Sequence, residues 1–324
     1  VLRCNMKAVL LAGGHATRLW PVTKNRAKPL LPIGDRPIID RLVEDIEADE
    51  VIISTNEKYA EDFRDYADEF DRDVTVSVES QGTEEEKPGT IGALIQLLDR
   101  QNVDEDLMVV AGDNLFSFDP MDFASFSKDR DGVSLVAYDL DNREEASQYG
   151  VVDVEGSDVK GFVEKPDDPP SSLVSTAVYY FPRDHLDAFE RYESFHRNHT
   201  DIPAEQYLDE PGRLIQWTVD NTQMNAYSFD GHWFDIGTPK GYINACRQAL
   251  DGQHIEGDTH DSEVQDSVVR DGATIRESKV TSSIVFPGAE IHSSELERSV
   301  IDRDASVTET ELESSVVGQH STIS

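Results

Sequence analysis

The sequence is poor in cysteine, in positive charge and in long apolar segments. Its two cysteines, Cys4 and Cys246, stand far apart in 324 residues, which excludes a disulfide framework and a cysteine-based zinc site. Only 29 lysines and arginines accompany 65 aspartates and glutamates, a net charge of −36. A surface of this charge repels nucleic acid and anionic membranes. No apolar run approaches the length of a membrane span.

The acidic residues are spread along the chain instead of forming one tail. Evenly distributed acid on a folded chain is typical of proteins adapted to high salt, where self-repulsion is screened. We therefore expect a halophilic archaeal source. Residues 1–5 are too short for a signal peptide, and Met6 is a candidate start. The expected location is the cytoplasm.

The residues from Ala8 to Pro32 read AVLLAGGHATRLWPVTKNRAKPLLP and combine a strand, a glycine turn and cations. The apolar start has buried-strand character. Gly13 and Gly14 have no Cβ, so backbone N–H groups can approach a ligand closely. The basic residues that follow are Arg18, Lys24, Arg26 and Lys28. Together these features indicate a cradle for polyphosphate, although the spacing matches neither a Walker loop nor the dinucleotide-binding motif.

Strand and helix patterns alternate along the first 250 residues. Short apolar runs such as 51–53 and 107–111 are typical of buried strands, and segments such as 57–70 have helical spacing. This alternation predicts a mostly parallel, Rossmann-like mixed sheet covered by helices. Thr90 is expected to cap the helix that follows a polar loop at 79–89.

Two aspartates end apolar strand patterns. Asp113 follows the run 107–111, and Asp235 precedes a Gly-Thr-Pro that opens a helix. Carboxylates at the carboxyl edge of a parallel sheet lie where ligands bind, and their hard oxygens suit Mg²⁺. Taken alone, a Gly-Asp pair is also compatible with an ordinary turn.

The tail repeats every sixteen residues. Small and apolar residues keep one phase, as in Ser267-Val268-Val269, Ser283-Ile284-Val285, Ser299-Val300-Ile301 and Ser315-Val316-Val317. Such steps predict stacked coils, a parallel and left-handed β-helix. We therefore divide the chain into a catalytic domain at 1–250 and a repeat domain at 251–324. The repeat stops at Ser324 without an evident cap, so either the chain is truncated there or another subunit covers the open end; a homo-oligomer is expected.

The stretch after the first strand closely resembles the N-terminal motif of the sugar-1-phosphate nucleotidyltransferases. The matching positions are Gly13, Gly14, Thr17, Arg18, Leu19, Pro21, Thr23, Lys28, Pro29, Leu31 and Pro32. Further elements follow in the family's order across residues 6–245: Gly112-Asp113, Tyr149-Gly150-Val151-Val152, Glu164-Lys165-Pro166 and Asp235-Ile236-Gly237-Thr238. The family often has glycine at the positions of Ala16 and Ala177.

The resemblance implies a nucleotide site around the glycine turn. In the family, Arg18 and Lys28 would neutralise the triphosphate and the leaving pyrophosphate. The polar loop at 79–89 would read the base, and there Glu84 replaces a glutamine common in thymidylyl-specific bacterial relatives, so the base stays open. The implied nucleotide-binding residues are Leu11, Ala12, Gly13, Gly14, Thr17, Glu84, Gly89 and Thr90.

The resemblance also implies a sugar-phosphate site and a metal site. Glu164 would bind sugar hydroxyls and Lys165 the sugar phosphate, with Gly150, Ser175 and Thr176 lining the pocket. Asp113 and Asp235 would hold Mg²⁺. The implied catalytic residues are Arg18, Lys28, Asp113, Lys165 and Asp235.

The implied reaction joins a nucleoside triphosphate and a sugar 1-phosphate and releases pyrophosphate. The amino-acid sequences of the glycine loop and of residues 233–239 most resemble those of archaeal members that act on glucose 1-phosphate with dTTP or UTP. Mannose-1-phosphate guanylyltransferases are the alternative, since they often carry β-helical tails. A catalytically silent regulatory subunit is a further alternative.

Overall fold

The computed structural model describes residues 5–34, 36–70, 72–79, 89–250 and 253–324. Glu84 lies outside these ranges. The strands are β1 Met6–Leu11, β2 Pro32–Ile33, β3 Arg36–Pro37, β4 Glu50–Thr55, β5 Val74–Val78, β6 Asp106–Ala111, β7 Asn114–Phe116, β8 Val133–Asp139, β9 Gly150–Glu155, β10 Asp158–Glu164, β11 Leu173–Phe181, β12 Met224–Ser228 and β13 Trp233–Asp235. The helices are α1 Ile38–Asp45, α2 Ala60–Ala67, α3 Gly89–Gln101, α4 Pro120–Lys128, α5 Asp187–His199, α6 Ala204–Tyr207, α7 Pro211–Asn221 and α8 Pro239–Ala249.

The remaining strands are short and lie in the repeats. They are β14 His254–Ile255, β15 Asp258–His260, β16 Glu263–Gln265, β17 Val268–Val269, β18 Thr274–Arg276, β19 Lys279–Thr281, β20 Ile284–Val285, β21 Glu290–His292, β22 Glu295–Glu297, β23 Val300–Ile301, β24 Ser306–Thr308, β25 Glu311–Glu313, β26 Val316–Val317 and β27 Thr322–Ile323. We call residues 253–324 the coil stack. None of the helices in the described ranges is long and apolar enough to cross a membrane.

The chain forms two compact units. Unit 1 holds the residues up to Gly14 together with 42–112 and 116–233, and unit 2 holds 15–41, 113–115 and 234–324. The division predicted at residue 250 follows the sequence repeats. The compact units differ from it, because unit 2 contains residues 15–41, 113–115 and 234–250 as well as the repeats. The reason is that residues 15–41 and α8 share an apolar core with the coil stack.

Unit 1 is built on a nine-stranded sheet with the order β5-β4-β1-β6-β11-β8-β12-β10-β9. The pairings give β10 and β11 one direction and the other strands the opposite one, so the sheet is mixed and mostly parallel, as predicted. In register, Val9 of β1 pairs with Ile52 of β4 and Val109 of β6. These buried side chains join the apolar faces of α3, α5 and α7 in one core. Such burial explains why the central strands read as continuous apolar runs.

Helix α3 begins earlier than the sequence pattern predicts. The helix includes Gly89, so Thr90 lies in its first turn and is not the N-cap. The backbone N–H of Ile91 donates instead to the carbonyl of Leu208, at 2.7 Å. A carbonyl from a distant segment thus satisfies a donor that a capping side chain would otherwise satisfy.

The coil stack of unit 2 consists of three parallel ladders. They are β14-β17-β20-β23-β26, β15-β18-β21-β24-β27 and β16-β19-β22-β25. Paired residues are sixteen apart, as in Val264 with Val280 and Leu296 with Leu312. The sequence period is therefore the structural repeat. The interior holds small and branched side chains, among them Ala273, Ala289, Ile275 and Ile291.

Serine ladders connect successive coils. The backbone N–H of Ser283 donates to Oγ of Ser267, and that of Ser299 donates to Oγ of Ser283, both at 3.0 Å. A second ladder at Ser262, Ser278 and Ser294 repeats this pattern. Serine recurs at these corners because its hydroxyl supplies an acceptor to the next coil where the strands stop pairing.

The apolar pairs of one ladder face two different cores. The second member of each pair, such as Val269 or Val285, lies in the interior of the stack. The first member packs outward onto residues 15–41 and α8. We call these first members, Val268, Ile284, Val300 and Val316, the outer row. The outer row explains why this ladder is apolar on both faces, whereas Glu263–Gln265 and its equivalents keep a polar outer face.

Strand β11 is interrupted at Ala177. Its register against β8 shifts between Ser175 and Tyr179, and Ala177 has a left-handed backbone with φ 57°. Only glycine adopts this conformation without steric strain. This geometry explains physically why the resembling family often has glycine at this position.

The effect of a substitution at Ala177 on the free energy of unfolding should therefore depend on how well the new residue tolerates positive φ. Ala177→Gly is expected to leave the free energy of unfolding within about 0.5 kcal/mol of the starting value, because relief of strain offsets the more flexible unfolded chain. Ala177→Val should lower it by about 2 kcal/mol, since a branched side chain is strongly disfavoured at positive φ. Denaturant unfolding measures both, and Ala226→Val on β12 controls for added bulk. A glycine variant as unstable as the valine variant would contradict this account.

Candidate active site

Two aspartates of unit 2 are held beside one lysine. Lys28 begins a 3-10 turn, and its ammonium pairs with Asp113 and lies 3.9 Å from Oδ1 of Asp235. The lysine side chain is 12% exposed and each carboxylate side chain is 28% exposed. Residues far apart in sequence thus form one charged cluster that is largely shielded from solvent.

Backbone pairing fixes the positions of these two aspartates. The short strands β7 and β13 form a two-stranded sheet, and the N–H of Ile236 donates to the carbonyl of Asp113 at 3.2 Å. After Asp235 the chain turns through Gly237, where an added Cβ would lie 3.0 Å from Oδ1 of Asp235. Thr238 then caps α8 by accepting from the N–H of Gly241 at 3.1 Å. A strand end and a capped helix start therefore hold the carboxylate in place.

The electrostatics of this cluster favour a cation. Burial raises the pKa of Asp235, and the neighbouring Asp113 carboxylate raises it further, against the smaller opposing effects of Lys28, Arg18 and the Gly237 N–H. A divalent cation would relieve this repulsion. Within the described ranges, no group of three or more His, Cys, Asp or Glu side chains could hold a metal. The remaining ligands would then be phosphate oxygens and water, which is the way Mg²⁺ commonly binds to phosphate-bearing substrates.

Arg18 stands on a 3-10 turn, Thr17–Leu19, that follows a left-handed residue. Ala16 has φ 47° and ψ 44°, and its carbonyl accepts from Oγ1 of Thr23 at 2.8 Å. The conformation again suits glycine, which the family often has there. Arg18 itself is exposed to solvent.

In unit 1, the glycine turn is fixed by the segment after β4. The N–H of Ala12 donates to the carbonyl of Ser54, and Nδ2 of Asn56 donates to the carbonyl of Gly13, each at 2.7 Å. Leu11 ends β1, and its carbonyl accepts from the N–H of Gly112 at 2.9 Å. A Cβ on Gly13 would overlap Oε1 of Glu79, whereas one on Gly14 would meet nothing within 4 Å.

Glu79 is a site residue that the sequence analysis missed. It follows β5 directly, and its carboxylate lies against Gly13. Burial raises its pKa, and the Asp209 carboxylate raises it further. Gly89 lies close to Leu208 and Asp209 and has φ +67°. The rule that selected Asp113, a polar residue directly after a parallel strand, would also have selected Glu79.

Glu164 of unit 1 occupies a space that Gly212 leaves open, and it also lies beside Gly150, where the ring of Phe162 is closer still. An added Cβ on Gly212 would overlap Oε2 of Glu164, and one on Gly150 would lie 3.0 Å from the same oxygen. Lys165 follows with a left-handed φ of 45°, and its ammonium lies 3.0 Å from Oε1 of Glu164. The Lys165 N–H donates to the carbonyl of Tyr149 at 3.0 Å. Gly212, at the start of α7, is a second residue that the sequence did not reveal, and unlike Glu79 it has no signal in the sequence.

Ser175 and Thr176 are largely internal. Oγ of Ser175 donates to the hydroxyl of Tyr179 at 3.3 Å, and burial raises the pKa of that tyrosine. Thr176 is 1% exposed, and its hydroxyl donates to the carbonyl of Val136 at 3.2 Å. The hydroxyl of Thr176 is therefore committed to the fold, and a role in sugar binding stays a prediction for both residues.

The raised pKa of Glu79 predicts a pH-dependent stability. A folded-state pKa above the unfolded value weakens folding as pH rises, because the buried carboxyl must lose its proton in the folded state. Glu79→Gln should therefore raise the melting temperature at about pH 8, and the difference should vanish towards about pH 3, below the unfolded pKa of about 4.3, where glutamate is protonated in both states. The exposed Glu61 of α2 offers a matched control, Glu61→Gln. A stabilisation that is the same at both pH values would contradict the assignment.

Comparison with known proteins agrees with these features. Residues 7–252 match the family model described as nucleotidyl transferase. The UTP–glucose-1-phosphate uridylyltransferase AglF of Haloferax volcanii is 31% identical over 242 residues, which cover 72% of this chain and 93% of the relative. A mannose-1-phosphate guanyltransferase of Schizosaccharomyces pombe is 29% identical over 248 residues, 74% of this chain and 62% of that protein.

A solved structure is similar in fold. The putative glucose-1-phosphate thymidylyltransferase from Bacillus anthracis superposes with a TM-score of 0.64 at 24% identity, over 76% of this chain and 96% of that chain. The family match covers well over half of the sequence, and it includes every motif on which the resemblance was stated. The chain therefore belongs to the nucleotidyl transferase family, among its sugar-1-phosphate nucleotidyltransferases.

Proposed function

We propose that the protein makes a nucleoside diphosphate sugar from glucose 1-phosphate and UTP or dTTP, with release of pyrophosphate. The observation that carries this proposal is the cluster of Lys28, Asp113 and Asp235 in unit 2. Two carboxylates and an ammonium at one place suit a magnesium-bound triphosphate, because carboxylates hold the metal while the ammonium offsets phosphate charge. Such a cluster has no evident use in a protein that only assembles with others.

The chemistry requires positioning and neutralisation of charge more than covalent catalysis. A phosphate oxygen of the sugar phosphate would attack the α-phosphorus in line as pyrophosphate leaves. Mg²⁺ bound to Asp113 and Asp235 would act as a Lewis acid on the α-phosphate. Lys28 and Arg18 would offset the charge on the departing pyrophosphate.

The Glu164–Lys165 pair would hold the nucleophile. Lys165 is about half exposed and can donate to the sugar phosphate, whereas Glu164 is only 18% exposed and can accept from sugar hydroxyls. Their ion pair at 3.0 Å keeps the acceptor and the donor side by side, as a substrate with hydroxyls and a phosphate requires.

Glu79 narrows the choice of nucleotide. A carboxylate against the glycine turn cannot face phosphate, but it can accept from a base. Uracil, thymine and guanine present an imino N–H at the centre of their pairing edge, where adenine and cytosine present an acceptor. The similarity to AglF supports UTP and glucose 1-phosphate as the substrates, and the similarity to the Schizosaccharomyces relative makes GTP and mannose 1-phosphate the alternative.

We also infer that the coil stack is a left-handed β-helix, that the protein is a cytoplasmic homo-oligomer, and that its acidic surface is adapted to high salt.

The direct test is pyrophosphate release with Mg²⁺ at high KCl. Each of UTP, dTTP, GTP, CTP and ATP would be paired with glucose 1-phosphate and with mannose 1-phosphate. Release with UTP or dTTP and glucose 1-phosphate is expected. Release only with GTP and mannose 1-phosphate would select the alternative, and folded protein without release from any pair would refute both.

Asp235→Asn should separate catalysis from stability. We expect kcat to fall on the order of a hundredfold or more, because the variant loses a metal ligand charge. The melting temperature should not fall, because the substitution removes the repulsion that raises the pKa of Asp235. Asp230→Asn, at an exposed position, is the control. Normal activity of Asp235→Asn at low magnesium would remove the metal assignment.

Gly212→Ala should weaken binding of the sugar 1-phosphate. The added methyl would displace the end of the flexible Glu164 side chain, so the fold should tolerate it while the sugar acceptor moves. We expect the KM for sugar 1-phosphate to rise about tenfold and the KM for the nucleotide to stay unchanged. Gly161→Ala on β10 is a matched control, since its Cβ would approach only the Asp153 side chain, at 3.6 Å. Equal KM values for the two variants would argue against a sugar-binding role for Glu164.

A further inference from the structure

The coil stack contacts the segment that carries the catalytic cations. The outer row packs with Leu19, Val22 and Leu31, which flank Arg18 and Lys28 in sequence. Gly318 lies so close to Pro21 that an added Cβ would approach it at 2.5 Å. Arg270 donates to the carbonyl of Gly34 at the other end of the segment. Residues 18–34 are therefore seated on the stack along their length.

A buried charged pair, Arg26 with Asp302, lies within this interface. Nη2 of Arg26 lies 3.7 Å from Oδ1 of Asp302, whose side chain is only 3% exposed. The Arg26 guanidinium also lies over the ring of Phe286, 5.6 Å from its centroid. Nη1 of Arg26 is buried, and no hydrogen-bond partner is found for it among the described residues. The guanidinium is thus held by the charge of Asp302 and by the face of Phe286.

Asp302 has few other partners in the described part of the chain. Its Oδ1 accepts from the N–H of Arg303 at 2.8 Å. An ionised carboxylate this deeply buried is stable only when a positive charge lies near it, and Arg26 supplies that charge. Because both groups are shielded from solvent, salt screens this pair far less than it screens the acidic surface.

The link from Arg26 to Lys28 is short and constrained. Ala27, between them, has no exposed surface. The N–H of Leu30 donates to the carbonyl of Ala27, and the N–H of Leu31 donates to the carbonyl of Lys28, each at 3.0 Å. A shift of Arg26 therefore moves the turn that begins at Lys28, since the residue between them cannot rotate into solvent.

We propose that Asp302 is a positioning residue for the transferase reaction: through Arg26 it holds the turn that places Lys28 beside Asp113 and Asp235. This inference rests on the proposed function. The coil stack thereby sets the geometry of a catalytic cation, and a residue in the repeats, far in sequence from every family motif, influences turnover.

The test compares Asp302→Asn with Asp304→Asn. Asp304 lies in the same coil, is exposed and has a left-handed backbone that asparagine tolerates. We expect Asp302→Asn to lower kcat on the order of ten- to a hundredfold, while the KM for sugar 1-phosphate stays unchanged, because misplacement of a catalytic group acts on the chemical step. Asp304→Asn should match the starting enzyme. Equal kcat values for both variants would overturn the proposal.

Hydrogen exchange gives a readout that does not depend on turnover. Peptides covering residues 24–33 should exchange faster in Asp302→Asn than in Asp304→Asn, while peptides from β1 and β6 stay unchanged. General destabilisation would instead accelerate exchange in all of them and would refute a positioning role. If the starting enzyme releases no pyrophosphate from any substrate pair, the proposed function fails, and the exchange data still judge the contact itself.

A double variant tests the route through Arg26. Arg26→Met keeps the length of the side chain over Phe286 and removes its charge, so the pair Arg26→Met and Asp302→Asn leaves no unpaired buried charge. The effects of the two substitutions on kcat should be strongly non-additive, with the double variant no slower than Asp302→Asn. Additive losses would show that Asp302 acts by another route and would overturn the assignment.

Discussion

The like charges of Asp113 and Asp235 are the constraint on which unit 2 depends. Burial and mutual repulsion both oppose ionisation of Asp235, as its raised pKa records. The ammonium of Lys28 lies near both carboxylates, and its positive charge offsets their mutual repulsion when no metal is bound. Under the proposed function, the same charges would favour a cation carried by phosphate, because such a ligand would bring both the positive metal and the negative partner for Lys28.

Carboxylates recur against glycines in this molecule. Glu79 lies on Gly13, Glu164 lies between Gly150 and Gly212, and Asp235 lies beside Gly237. At Gly13 and Gly212 the acid occupies the volume of the missing Cβ, whereas at Gly150 the ring of Phe162 lies closer than the acid. These glycines are therefore needed for the space beside them as much as for backbone freedom. Gly14, where an added Cβ would meet nothing, shows that a glycine in the same motif can have a different role.

Much of the fold follows from the sequence because its signals are local. The apolar runs of β1 and β6 and the sixteen-residue period each depend on neighbouring residues, and both appear as predicted. The start of α3 was misplaced because a carbonyl from Leu208, more than a hundred residues away, substitutes for a side-chain cap. Gly212 could not be found for the same reason, since only the folded chain brings it to Glu164. The motif positions Lys28, Asp113 and Asp235 were predictable individually, and their meeting is a property of the fold.

The division of the chain shows what periodicity alone leaves out. The sequence repeats predict a domain boundary at residue 250, because the periodic pattern lies entirely in the residues that follow it. The outer row indicates a different division. A ladder that faced solvent would not be expected to place four apolar side chains in register, Val268, Ile284, Val300 and Val316. A face that is apolar in four successive coils must be covered, and residues 15–41 and α8 cover it. The apolar outer row was thus a signal already present in the sequence, and it means physically that the repeats, residues 15–41 and α8 form one core.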